Sequence, residues 1–229
     1  MLVFIVFSCA SPRKVLIQTT EGNIKIKLYK ETPLHVNNFM SLVDKGFYDS
    51  LLFHRVIADF MIQGGDPESK AAKAGTLLGN GDVGYTVAVE FKTPNIFHKK
   101  GMLAAARESN DVNPQKASSG CQFYIVVGKV FSDTELDKVE LRKRNQFKKE
   151  LKDTSLINSK TYREKYKITP KQRKIYKTIG GTPHLDGSYT VFGEVTEGMN
   201  IVEKISKMKT DPHDRPLKDV RIISMKKIK

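Results

Sequence analysis

Short apolar runs that alternate with polar residues and stop at turn signals fill most of this chain. A sequence built that way is held to mainly antiparallel β structure. Ile24, Ile26 and Leu28 alternate with Lys25 and Lys27, behind the turn Thr20-Glu21-Gly22-Asn23 and a first strand at residues 15–19. Further strands are predicted at 85–89, 101–106, 122–127, 189–195 and 220–227. The stretch FHRVIADFMIQGGD, residues 53–66, reads as two strands joined at Ala58-Asp59, with Arg55 and Gln63 set inside apolar runs. Either these two lie on a solvated face or they wait for a ligand.

Helical spacing is rarer. Thr32-Pro33 opens a helix carrying Val36, Phe39, Met40 and Val43, and Gly46 ends it. A second helix is predicted over 198–208. Two helices among about eight strands suggest an antiparallel barrel with covered ends. Residues 67–84 read as loop and 107–120 as irregular chain.

From Ser132 the character changes. Leu136, Val139, Leu141, Phe147 and Leu151 form an imperfect helical stripe on a charged background, with Tyr162, Tyr166 and Ile168 beyond. Thr169-Pro170 breaks the pattern before another short helix, and Gly180-Gly181 returns the chain to β character. The formal net charge is +14, and residues 129–181 hold 16 Lys and Arg against 7 Asp and Glu. One segment therefore carries most of the surplus. It reads as a solvated helical arm, or else as a surface for clients, anionic lipid or a partner. Nucleic acid is not expected, because no aromatic stacking platform accompanies the charge.

Only two cysteines occur, Cys9 and Cys121, so there is no disulfide framework and no zinc or redox pair. Cys121 lies in a strand-like run and is expected to be buried. The apolar run from Met1 to Phe7 is too short to span a bilayer. With Ser8, Cys9, Ala10 and Ser11 behind it, Val6-Phe7-Ser8-Cys9 resembles the lipobox of bacterial lipoproteins, in which the cysteine is acylated. Residues 1–14 are then a signal segment and tether, and the chain an envelope lipoprotein. A frayed cytoplasmic N-terminus is the alternative.

Phe53-His54-Arg55-Val56-Ile57, Phe60-Met61-Ile62-Gln63-Gly64-Gly65-Asp66, Ser119-Gly120-Cys121-Gln122-Phe123-Tyr124-Ile125, Leu185-Asp186-Gly187 and Val191-Phe192-Gly193-Glu194-Val195 occur in one order and register. In these runs the sequence resembles the cyclophilins, peptidyl-prolyl cis-trans isomerases, over about residues 15–131 and 182–229. The resemblance implies a mainly β fold, a closed eight-stranded antiparallel barrel capped by two helices. The domain is then 15–229, interrupted by a basic helical insertion at about 132–181. It also implies that Arg55 is catalytic, that Phe60, Met61, Tyr124 and Leu185 line a proline pocket, and that Gln63 and Gln122 contact the peptide backbone. Ala106 and Arg107 fall at the groove floor. Tyr189 stands where many eukaryotic members have histidine and bacterial ones often have tyrosine. His184 replaces a tryptophan found in cyclosporin-sensitive members.

Such an enzyme breaks no bond, so it needs neither nucleophile nor metal nor cofactor. It acts on proline-containing unfolded or nascent chains, here exported or envelope proteins, and a monomer suffices. The alternative is a binding module of the same fold that holds proline segments with little turnover. His54 reads as a hydrogen-bonded structural residue. His98, His184 and His213 show no ligand spacing.

Overall fold

The computed structural model describes residues 13–150 and 166–229. Cys9, Leu151 and Tyr162, and with them the lipidation reading, lie outside the described residues.

Strands β1 (Lys14–Thr19) and β2 (Gly22–Leu28) pair antiparallel, Ile17 opposite Ile24. The Thr19 hydroxyl accepts from the Glu21 and Gly22 amides and closes the turn between them. Helix α1 (Pro33–Asp44) follows. Thr32 gives it no side-chain cap; Glu90, far along the chain, accepts from the Leu34 and His35 amides instead. A carboxylate there satisfies free donors and opposes the positive end of the helix dipole.

The stretch 53–66 folds as β3 (Arg55–Ile57) and β4 (Met61–Gly64), a hairpin with Arg55 opposite Gln63. Behind it come β5 (Thr86–Val87), β6 (Met102–Ala105), β7 (Ser118–Ser119) and β8 (Phe123–Val126). The strand predicted at 85–89 is only β5, which pairs with β7 in a separate two-stranded sheet. Helices α2 (Asp133–Glu150) and α3 (Pro170–Thr178) precede β9 (Val191–Glu197), α4 (Met199–Ser206) and β10 (Ile222–Ile228). Helix α3 starts at Thr169-Pro170 with a complete capping box between Thr169 and Gln172.

The large sheet has eight strands in the order β10-β1-β2-β9-β6-β8-β4-β3. It curls but does not close, which corrects the expected closed barrel. Its edges, β10 and β3, form no ladder with each other. Ser50, Leu51 and Phe53, just before β3, exchange single backbone bonds with Val220 and Ile222. Side chains satisfy neighbouring groups: the Ser69 hydroxyl takes the Leu52 amide, and the Arg221 guanidinium takes the Ser50 carbonyl. Leu52 and Arg221 form a single antiparallel bridge there, and the pairing goes no further.

Period-2 alternation splits the apolar residues between the two faces. Val56, Ile62, Leu103 and Ile125 join the main core beneath α1 and α4, with Val36, Phe39, Val202 and Ile205. Met61, Ala104, Tyr124 and Val126 form a second cluster on the other face.

The described part of the basic segment is docked, so the solvated arm is corrected there. Leu136, Val139, Ile168 and Tyr176 are buried against Phe97, while Leu141, placed on the same stripe by spacing, is exposed. The Arg173 guanidinium spans Asp137 and Glu140 and ties α3 to α2. The excursion leaves and returns at one neck, where the Gly181 amide donates to the Lys129 carbonyl at 3.0 Å. A Cβ at Gly181 would lie 2.2 Å from the His98 carbonyl oxygen, so the neck requires glycine.

Candidate active site

Strand register lays the site out. Arg55 faces Gln63, Gln63 faces Tyr124, and Tyr124 faces Ala104. One row of side chains thus crosses four strands on the outer face. Beside that row Met61, Tyr124, Leu185 and Ala106 are buried together, with Phe60 and Tyr189 packed against them. These are the residues expected to line the proline pocket and its floor. A groove of about 1160 Å³ starts at the edge of this cluster, at Phe60, Leu185 and Tyr189, and runs away from Arg55 and Gln63 towards α2.

The polar wall is fixed from behind. Gln63 Nε2 donates to Gln122 Oε1 at 2.9 Å, and Gln122 Nε2 donates to the Gly79 and Gly81 carbonyls at 2.8 Å each. Gly65 makes the approach possible. Its φ is +100°, and a Cβ there would stand 2.3 Å from the Cys121 carbonyl oxygen.

Arg55 is about two-fifths exposed, and its Nε lies 3.4 Å from Asp214 Oδ2. That contact holds the stem. Among the described residues neither terminal nitrogen of Arg55 has a hydrogen-bond partner.

Residues 14–227 match the family model for cyclophilin type peptidyl-prolyl cis-trans isomerase/CLD. The chain belongs to the cyclophilin-type peptidyl-prolyl cis-trans isomerases. A putative peptidyl-prolyl cis-trans isomerase of Staphylococcus aureus (strain USA300) is 32% identical over 213 residues, covering 93% of this chain and 90% of that protein. The Arabidopsis thaliana isomerase CYP71 is 32% identical over 216 residues, 93% of this chain but 24% of that protein. A crystal structure of a Cryptosporidium parvum cyclophilin-type isomerase shares the fold at a TM-score of 0.62 and 20% identity, covering 95% of this chain and 98% of that one. A second structure, in the presence of the dipeptide Ala-Pro, aligns at 0.60 and 20%, covering 94% and 99%. The chain is therefore an isomerase of X–Pro bonds.

Behind the cyclophilin pocket lies a buried network that the sequence did not announce. The Asp186 carboxylate accepts four hydrogen bonds. His98 gives two to Oδ1, from its amide at 2.8 Å and from Nδ1 at 2.9 Å; Tyr176 (2.7 Å) and Gln172 (3.2 Å) donate to Oδ2. A carboxylate only accepts, so His98 carries a proton on Nδ1, and its Nε2 shares a hydrogen bond of 3.0 Å with the Tyr124 hydroxyl. Burial holds the Tyr124 and Tyr176 hydroxyls well above the usual phenol range. Tyr124, in the pocket, is thereby tied through Asp186 to α3. Only the motif Leu185-Asp186-Gly187 hinted that Asp186 mattered.

Other residues rim the cyclophilin groove. Arg107 bonds the Ser188 and Glu108 carbonyls and Asn110, and its guanidinium lies 4.5 Å above the Tyr189 ring. His184 packs 5.5 Å from Phe60, ring centre to ring centre. Although His184 keeps one side open to solvent, desolvation among its neighbours lowers its pKa to about 4, and His98 and Lys143 add repulsion. The ring is neutral at neutral pH.

His54 departs from expectation. It is 2% exposed, and neither ring nitrogen makes a well-formed hydrogen bond among the described residues, although the Leu52 backbone lies close enough to favour the protonated ring weakly. Burial lowers its pKa to about 4 against the attraction of Asp66, and Arg55 and Arg215 push the same way as burial. Cys121 is buried, and burial raises its thiol to about 11. It is an inert packing residue.

Proposed function

We propose that this isomerase turns an X–Pro bond held between Arg55 and the Phe60–Leu185 cluster. A peptide bond resists rotation by about 18–20 kcal/mol because resonance gives it double-bond character. Both X–Pro isomers are populated, yet they exchange in tens to hundreds of seconds. In the twisted transition state that resonance is lost, and the prolyl nitrogen gains a lone pair. A fixed cationic donor beside it stabilises the twisted form over the planar one.

Arg55 is the proposed donor, and its two free terminal nitrogens carry the reading. Phe60, Met61, Tyr124 and Leu185 form the apolar cup for the proline ring. Gln63 and Gln122 hold the flanking backbone. Ala106 supplies the floor, and Arg107 and Tyr189 the rim. One charge-assisted bond contributes about 1.5–3 kcal/mol, and each tenfold in rate requires about 1.4 kcal/mol, so positioning must add to it. The Arg55→Ala variant is expected to stay folded by circular dichroism and to lose at least tenfold in kcat/KM in a protease-free prolyl assay. Near-wild-type turnover would remove Arg55 from the mechanism.

The physiological setting is part of the same proposal. Val6-Phe7-Ser8-Cys9 supports acylation of Cys9, which would tether residues 15–229 in a bacterial envelope, where exported proline-containing chains are the clients. The single neck at Lys129 and Gly181 supports reading about 132–181 as an insertion into the isomerase domain. Labelled fatty acid should enter the wild-type membrane fraction and be absent from Cys9→Ala. Equal labelling, or none in either, would end the lipoprotein reading.

A further inference from the structure

The groove starts at Phe60 and Leu185, the edge of the proposed proline cup, and α2 is its far bank. Five cationic side chains and three carboxylates line it. Most of these charges are already engaged. Lys143 donates to the Asp186 carbonyl at 2.5 Å, Arg107 is held by Ser188, Glu108 and Asn110, and Lys129 pairs with Glu135 at 2.7 Å. Lys138 and Arg142 differ. They sit four residues apart on α2, one turn above the other, both exposed into the groove. Among the described residues neither makes a hydrogen bond or an ion pair. Val139, between them in sequence, is buried and anchors this face of the helix. The two remaining carboxylates, Asp59 and Asp111, are also exposed and belong to segments outside α2.

We propose that Lys138 and Arg142 form a subsite for the carboxylate of an Asp or Glu side chain flanking the proline of the bound peptide. This rests on the reading of the groove as the prolyl-peptide site. Two cations a helical turn apart, on a docked helix, present a fixed positive field along the path by which the peptide leaves the cup. Exposed charges of this kind act on encounter and selectivity and weaken with salt.

The test uses the full chain and a set of fluorescent prolyl peptides carrying Glu, Ala or Lys at each of three positions on either side of proline. Kd is read by anisotropy at low and high salt. On one side of proline, Glu should bind about three- to tenfold more tightly than Ala and Lys more weakly, with the difference vanishing at high salt. In the Lys138→Glu/Arg142→Glu variant the order should invert while the Ala peptides bind as before. A flat charge profile in the wild type, or the same profile in the variant, overturns the subsite alone. If no prolyl peptide binds, the reading of the groove falls and the subsite with it. If the charge profile holds but Arg55→Ala still turns over normally, the role of Arg55 falls and the subsite stands.

Discussion

Arg55 and Asp214 stand 159 residues apart in the chain and 3.4 Å apart in the fold. Both are about two-fifths exposed, so their ion pair adds little stability. Its effect is on aim: the Nε contact fixes the guanidinium while the terminal nitrogens stay open. Asp214→Ala should therefore lower kcat/KM about two- to fivefold with the midpoint of urea unfolding unchanged. Arg55→Lys, which lacks the planar fork, should lose at least fivefold. Both are checked by protease-free isomerisation and urea titration; wild-type rates in both would contradict this positioning.

The Asp186 network predicts a split between two substitutions. Tyr124→Phe keeps the ring in the pocket and removes the hydroxyl, leaving His98 Nε2 unfilled at a cost of about 1–2 kcal/mol. Turnover of small peptides should stay within about threefold. Asp186→Asn replaces four-fold acceptance with an amide that turns donors towards donors. It should cost about 3 kcal/mol or more and raise KM, as the walls of the cup loosen. Equilibrium unfolding and steady-state kinetics separate the two outcomes.

His54 predicts acid sensitivity of a defined sign. Its folded pKa is about 4, below the unfolded value of about 6.5. The unfolded chain therefore binds the extra proton first as pH falls. Stability is full above about pH 6.5, declines between about 6.5 and 4, and levels off below. From pH 7 to pH 4.5 this one residue should remove about 2–3 kcal/mol. His184 shifts in the same direction. In urea titrations His54→Gln should flatten that decline; an equally steep loss in the variant would assign it elsewhere.

Gly65→Ala tests how Gln122 is placed. The new methyl meets the Cys121 carbonyl at a φ that side-chain-bearing residues rarely adopt. The variant should be destabilised by about 2 kcal/mol or more and should lose peptide affinity along with it. Unchanged affinity would mean that Gln122 is held by Gly79 and Gly81 alone.

Much of this was legible in the chain. Alternation at Ile24–Leu28 fixed which residues of β2 face the core, and Pro33 and Thr169-Pro170 marked true helix starts. The motif runs named residues that the fold packs together, because each lies on a strand or turn whose register the pattern sets. What could not be read depends on contacts between distant segments. Whether the sheet closes turns on how residues 50–53 meet 220–222, which pair only through the single Leu52–Arg221 bridge. That Leu141 points to solvent, while Leu136 and Val139 are buried, follows from where Phe97 and Tyr176 stand. Spacing alone gave all three the same weight. Asp186 and Asp214 gave no periodic signal, since a single carboxylate has none to give.

The neck between Lys129 and Gly181 separates the length of the excursion from the architecture that bears it. Strand order and register are settled on one side of that gate, and nothing in them counts the residues on the other. Loop-closure entropy grows only slowly with length, so added residues cost little so long as Leu136, Val139, Ile168 and Tyr176 keep their packing against Phe97. A foreign segment at the same port would need ends as close together as those of Lys129 and Gly181, and donors to replace those that Tyr176 and Gln172 give Asp186. Exchange of what stands beside the groove would be felt inside it, because Tyr176 and Gln172 beyond the gate hold the Asp186 carboxylate that orients His98 beside Tyr124.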